Sequence, residues 1–157
     1  MQNISSKISK ILKQKKLTLA IAESCTGGFI QKLITDISGS SEYFIGGAVV
    51  YSNKLKEKLT GVSPKTLKKY GAVSQQTATE LARGIRKITG ADIGLSTTGI
   101  AGPSGGSPQK PVGLVYIGLS TKTKTIAKRH LFKGTRAQIR NQTAIKSFQL
   151  LLDFLTS

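Results

Sequence analysis

The sequence predicts an α/β protein, a three-layer α/β/α sandwich on a mostly parallel, mixed sheet. Three observations carry this expectation. Segments whose apolar residues recur at helical spacing alternate with short apolar runs of strand length. One such run, LTLAIAE (17–23), passes through SCTGG straight into the next helical segment, as in a β–α unit. Two late apolar runs, 112–120 and 123–132, follow one another without a helix between them, so a hairpin adds an antiparallel strand.

The elements follow in order. Ile4, Ile8, Ile11 and Leu12 mark an amphipathic helix over about residues 5–16. After the first strand, Phe29, Ile30, Leu33, Ile34 and Ile37 mark a helix that should end near Ser38 and Gly39. FIGGAVVYS (44–52) reads as the second strand, NKLKEKL as a short helix, and SPKTLKKYG as another short helical or turn segment closed by Gly71. Ser74 is the expected N-cap of a longer helix through Leu81 and Ile85 to Ile88. ADIGLSTTG (91–99) is the third strand, and a last helix runs from about 136 to 155. The stretch GIAGPSGGSPQKP (99–111), dense in glycine and proline, lies between two strands and reads as a functional loop inside one domain spanning 1–157.

Composition narrows the function. With 157 residues and 38% hydrophobic content, one core of ordinary size is expected. No apolar run approaches the roughly 20 residues that span a bilayer, and the first residues lack the compact apolar segment of a secretion signal. A cytoplasmic protein without membrane contact is the expectation. The single cysteine, Cys25, and single histidine, His130, exclude an internal disulfide and make a bound metal unexpected. Only seven acidic residues disfavour a carboxylate-bridged metal cluster and a two-carboxylate glycosidase. The formal charge of +17 invites a nucleic-acid reading. However, the 24 basic residues are scattered and mostly lysine, with only four tyrosines and five phenylalanines beside them. No stacking platform emerges, so a solvated lysine-rich surface or a phosphate-bearing small substrate is favoured over a polynucleotide.

Ligands in open α/β sheets collect beyond the carboxyl ends of the strands, where helix N-termini present free N–H groups. Two loops qualify here. AESCTGG (22–28) puts a hydroxyl and a thiol between a strand and a helix, with Gly27 and Gly28 allowing close backbone approach. TTGIAGPSGGS (97–107) adds hydroxyls and a glycine-rich backbone suited to an anion. Ser24 or Thr26 reads equally well as a helix cap, and Cys25 is a competing nucleophile. A serine–histidine–aspartate triad would need His130, which falls within the late strand beside Arg129. Lysine is then the natural base for a serine, and YSNKLKEK (51–58) supplies candidates that spacing alone does not separate.

Five segments taken together, AESCTGG (22–28), GSSEYFIGGAVVYSNKLK (39–56), GAVS (71–74), TGIAGPSGG (98–106) and KPVGLVYI (110–117), resemble the ordered signature of the CinA C-terminal domain family over nearly the whole chain. The resemblance implies an anticodon-binding-domain-like fold and a stand-alone amidase that converts nicotinamide mononucleotide to nicotinic acid mononucleotide and ammonia, with no cofactor and no metal. It implies Ser24 as nucleophile, Lys56 as its base, and Tyr51 as a residue orienting one of them. Thr98, before GIAG, belongs to the same active site. Arg136 would bind the substrate phosphate, with Arg140 as competitor. Thr26, Gly27 and Gly28 would supply the oxyanion turn, and Gly99, Gly102, Gly105 and Gly106 the second substrate loop.

For Lys56 to act as a base near neutrality its pKa must fall from about 10.4 by roughly three units, about 4 kcal/mol of differential interaction. Burial and neighbouring cations are the expected causes. A symmetric dimer is the expected assembly. The competing function is a basic nucleic-acid or protein interaction module linked to competence or DNA damage, which needs none of these motifs.

Overall fold

The computed structural model describes residues 2–157, which form one five-stranded sheet between two helical layers. The strands are β1 (Leu19–Glu23), β2 (Phe44–Val49), β3 (Ile93–Gly99), β4 (Leu114–Ser120) and β5 (Thr125–Leu131), arranged in the order β2-β1-β3-β4-β5. β1 pairs in parallel with both β2 and β3, whereas β4 is antiparallel to β3 and to β5. Only β4 therefore runs against the other strands, and the mixed sheet with a late antiparallel hairpin is as expected.

The helices are α1 (Gln2–Lys15), α2 (Phe29–Thr35), α3 (Asn53–Thr60), α4 (Pro64–Tyr70), α5 (Gln75–Thr89) and α6 (Arg136–Thr156). Their boundaries follow local chemistry. Ser52, Ser63, Ser74 and Thr135 each accept a backbone N–H from the first turn of the helix they precede, and Thr135 completes a capping box with Gln138. α2 stops at Thr35, short of the expected end, and the chain reaches β2 through a 3₁₀ turn, Ser40–Glu42, entered at Gly39 with φ 77°.

Strand alternation divides the core. Leu19 and Ile21 of β1 face α1, α2 and α6, packing with Ile8, Leu12, Ile30 and Phe148. Ala20 and Ala22 face the other way, towards Leu67, Leu81 and Ile85 of α4 and α5. That second layer sits close because its contacts are small. A Cβ on Gly94 or Gly118 would collide with the carbonyl of Ala82 or Ala78, and Ser96 Oγ donates to Ala78 O at 2.7 Å. Phe148 is fully buried in this core, whereas Tyr70 is 37% exposed beneath Lys69. Among the described residues no helix is long and apolar enough to cross a membrane.

Because β1, β2 and β3 run in parallel, the segments that follow them gather at one edge of the sheet: 24–28, 50–52 and the glycine-rich stretch after Gly99.

Candidate active site

Ser24 is the first residue past β1, held there by its N–H donating to Thr97 O at 3.0 Å. Lys56 lies on the inner face of α3, only 1% exposed, with its Nζ 3.1 Å from Ser24 Oγ. The same Nζ donates to Val50 O at 2.8 Å and to Tyr51 O at 3.1 Å. A neutral amine has two N–H bonds and one lone pair. With the two carbonyls taking the N–H bonds, the lone pair is left for the Ser24 hydroxyl. Burial holds Lys56 below the ordinary lysine value of 10.5, while Cys25 acts in the opposite direction. The neighbouring cations expected to help have no part in this.

These groups open into a cavity of about 210 Å³, walled also by Cys25, Tyr51, Val73, Thr98 and Arg136. Cys25 beside Ser24 is 7% exposed, and its thiol is pushed up to about 12, first by burial and also by the charge of Glu23. Burial thus favours its protonated form over the thiolate.

Tyr51 contributes differently from the expectation. Its backbone carbonyl holds Lys56, whereas its side chain, 60% exposed, accepts from Arg136 at 3.1 Å at the rim. Arg136 also donates to Gly102 O at 2.8 Å, so it bridges the rim between α6 and the glycine-rich loop. Arg140 is away from this cavity. It donates to Thr26 O at 2.7 Å and lies over the Phe29 ring. Of the two arginines, only Arg136 lines the cavity.

The turn after Ser24 is also rearranged relative to expectation. Thr26 is fully buried, its hydroxyl 2.7 Å from that of Thr97, and its side chain faces no substrate. Gly27 N–H donates to Ser24 O and Gly28 N–H to Glu23, so neither is available as an oxyanion donor. Among the described residues no backbone carbonyl takes the N–H of Cys25 or Thr26, and that of Cys25 faces its own thiol. Gly27 and Gly28 adopt φ 59° and 91°, a left-handed region that disfavours side chains, so their role is to shape the turn.

Thr98 and Gly99 reach the cavity, but the Thr98 hydroxyl donates to Ala72 O at 2.7 Å and pins the 71–74 loop that forms one wall. Gly105 and Gly106 are exposed and do not line it. His130 stacks on Phe132 within β5, remote from Ser24, and its pKa is lowered by burial and by Lys146 and Lys128. Among the described residues no three His, Cys, Asp or Glu side chains cluster to hold a metal ion.

Sequence reasoning missed Glu23. Fully buried, it accepts from Gly28, Ile30 and Gln31 N–H at 3.0, 3.2 and 2.8 Å, tying the start of α2 to the residue before Ser24. Its signal in the sequence is an acid at the end of a buried strand.

The molecule is thus an α/β domain with a serine and a buried lysine paired at the carboxyl edge of a mostly parallel sheet. Residues 1–155 match the CinA C-terminal domain model, and the chain belongs to that family. It is 48% identical to the CinA-like protein of Thermotoga maritima over 94% of its own length and 36% of that protein's, so it spans about a third of this relative. The competence/damage inducible protein CihA of Agrobacterium tumefaciens superposes with a TM-score of 0.96 at 35% identity, covering 99% of this chain and 95% of that one. A CinA superfamily protein of Enterobacter cloacae gives 0.94 at 34% identity, covering 98% and 91%.

Proposed function

We propose that the chain is an amidohydrolase that converts nicotinamide mononucleotide to nicotinic acid mononucleotide and ammonia through a Ser24–Lys56 pair. The observation that carries this reading is the buried Lys56 amine, 3.1 Å from Ser24 Oγ, with two carbonyls occupying its other donors. The substrate identity rests on the family resemblance.

In the first step the Ser24 Oγ–H proton passes to Lys56 Nζ as Oγ bonds to the carboxamide carbon. The negative charge on the former carbonyl oxygen is met by the N–H groups of Cys25 and Thr26. Lys56 returns the proton to the departing nitrogen, the C–N bond breaks and ammonia leaves an acyl-serine. Water, losing its proton to Lys56, attacks that ester, and Ser24 regains its hydrogen as the carboxylic acid product departs. A cavity of about 210 Å³ suits the carboxamide-bearing ring, with the phosphate left at the rim beside Arg136.

The test is ammonia release from nicotinamide mononucleotide by wild type, Ser24→Ala and Lys56→Ala, with a chelator present. Turnover that survives chelation and vanishes in both variants is expected. A folded wild type that releases no ammonia refutes the substrate. Binding to oligonucleotides that collapses as salt rises would favour the interaction-module reading instead.

A further inference from the structure

A larger concavity, of about 640 Å³, lies on the α3–α5 side of the molecule and shares no lining residue with the Ser24 cavity. Its volume is within the roughly 300–1,000 Å³ of small-ligand sites. One wall is the last turn of α3, from Lys58 to Gly61, and the other is a stripe of α5. The floor is tight, because a Cβ on Gly84 would collide with the Thr60 carbonyl.

Charge distinguishes this groove from an ordinary crevice. Lys58, Arg83 and Lys87 line it, all exposed. Among the described residues the ion pairs are Lys13–Glu42, Lys32–Asp36 and Lys122–Asp92, so none of the three cations has an acidic partner. The carboxylate in the groove, Glu80, is already engaged on both oxygens, accepting from Ser63 N–H at 2.8 Å and from Thr66 Oγ1 at 2.6 Å. Arg83 and Lys87 stand four residues apart on one helix, where like charges repel. Leu59 and Ile88, 36% and 65% exposed, add apolar surface to the same lining.

We propose that this groove is a second ligand site, taking a nucleoside diphosphate whose phosphates lie against Lys58, Arg83 and Lys87 and whose base covers Leu59 and Ile88. A diphosphate carries about three negative charges at neutral pH and would meet three unpaired cations, of which the Glu80 carboxylate offsets one, and Arg83 offers a planar fork for phosphate oxygens. The site is independent of the chemistry assigned to Ser24. It adjoins it mechanically, since Thr60 Oγ1 donates to Lys56 O at 2.6 Å on the same helix.

The experiment is an NMR titration of isotope-labelled protein with ADP at near-physiological salt, with adenosine and inorganic diphosphate as separate probes. Saturable shifts in amides of 58–63 and 80–88 are expected. They should weaken at least tenfold in R83S/K87S and persist in Ser24→Ala. Adenosine alone should bind far more weakly than ADP. Shifts centred on Ser24 and Thr98, or no saturation at millimolar ADP, overturn the proposal. So does an equal loss of affinity in the distant control K122S/K124S, which would reveal only the general positive field. A single-stranded oligonucleotide that binds the same amides much more tightly than ADP would likewise overturn it in favour of a polynucleotide groove. Should R83S/K87S fail to fold, Lys58→Ser on the opposite wall supplies the same comparison.

Discussion

Replacing Glu23 by glutamine probes how the turn after Ser24 is held. The carboxylate accepts three N–H groups: Gln31 on Oε1, and Gly28 with Ile30 on Oε2. Glutamine has a single acceptor oxygen, so at best the two Oε2 bonds survive and the new NH₂ is pressed against the Gln31 N–H. One buried donor left unsatisfied costs about 1–3 kcal/mol, and the two remaining bonds lose their charge assistance. Working against this, the variant no longer buries a carboxylate that has no cation partner, and removing such a charge can stabilise a fold. Three N–H donors and the positive end of α2 outweigh that term here, giving a net loss of about 2–4 kcal/mol. Urea unfolding near neutral pH, with an unchanged denaturant slope, measures it. Ammonia release should fall with it, because Gly28 fixes the turn that follows Ser24. A variant as stable as wild type, or more stable, would refute the argument that Glu23 anchors α2 to the Ser24 turn.

Three other outcomes follow from the same geometry. Amide hydrolysis should rise with pH as Lys56 loses its proton, with the inflection below 10.5 because burial lowers this pKa. A pH–rate profile should show that limb in wild type, and no activity on which to trace it in Lys56→Met. Arg136→Ala should raise KM about tenfold for a phosphate-bearing substrate and cost about 1 kcal/mol of stability as Gly102 O loses its partner. Arg140→Ala should cost about 1 kcal/mol too, by leaving Thr26 O without its partner, but leave KM near the wild-type value, and paired kinetics and thermal melts separate the two. Gly118→Val drives a branched side chain into the Ala78 carbonyl and Ser96 hydroxyl. A loss of about 3 kcal/mol or outright failure to fold is expected, read by calorimetry, and a wild-type melting temperature would contradict the close seating of α5.

Much of the architecture was legible because it is locally encoded. Helical spacing, serine and threonine caps and the turn-forming glycines act within a few residues, so α3 to α6 and all five strands could be placed from the chain alone. The foreshortened α2 could not, since its end depends on how the 3₁₀ turn delivers Tyr43 into the core. The motifs also marked Ser24 and Lys56, but only through their likeness to a family: among 24 basic residues, spacing could not single out one lysine.

What the chain by itself determined was its sequence of elements, its mixed sheet and the segments that gather at the sheet's carboxyl edge. Tertiary structure decided which atoms of those segments face the cavity. It turned Thr26 inward to Thr97, used the N–H groups of Gly27 and Gly28 within the turn and assigned the Tyr51 carbonyl, not its ring, to Lys56. It also separated Arg136 from Arg140, four residues apart on α6 but directed to different partners. The reason is physical: propensity and periodicity depend on neighbours along the chain. Hydrogen-bond direction, burial and the resulting pKa of Lys56 depend on groups brought together from distant parts of the sequence by the sheet.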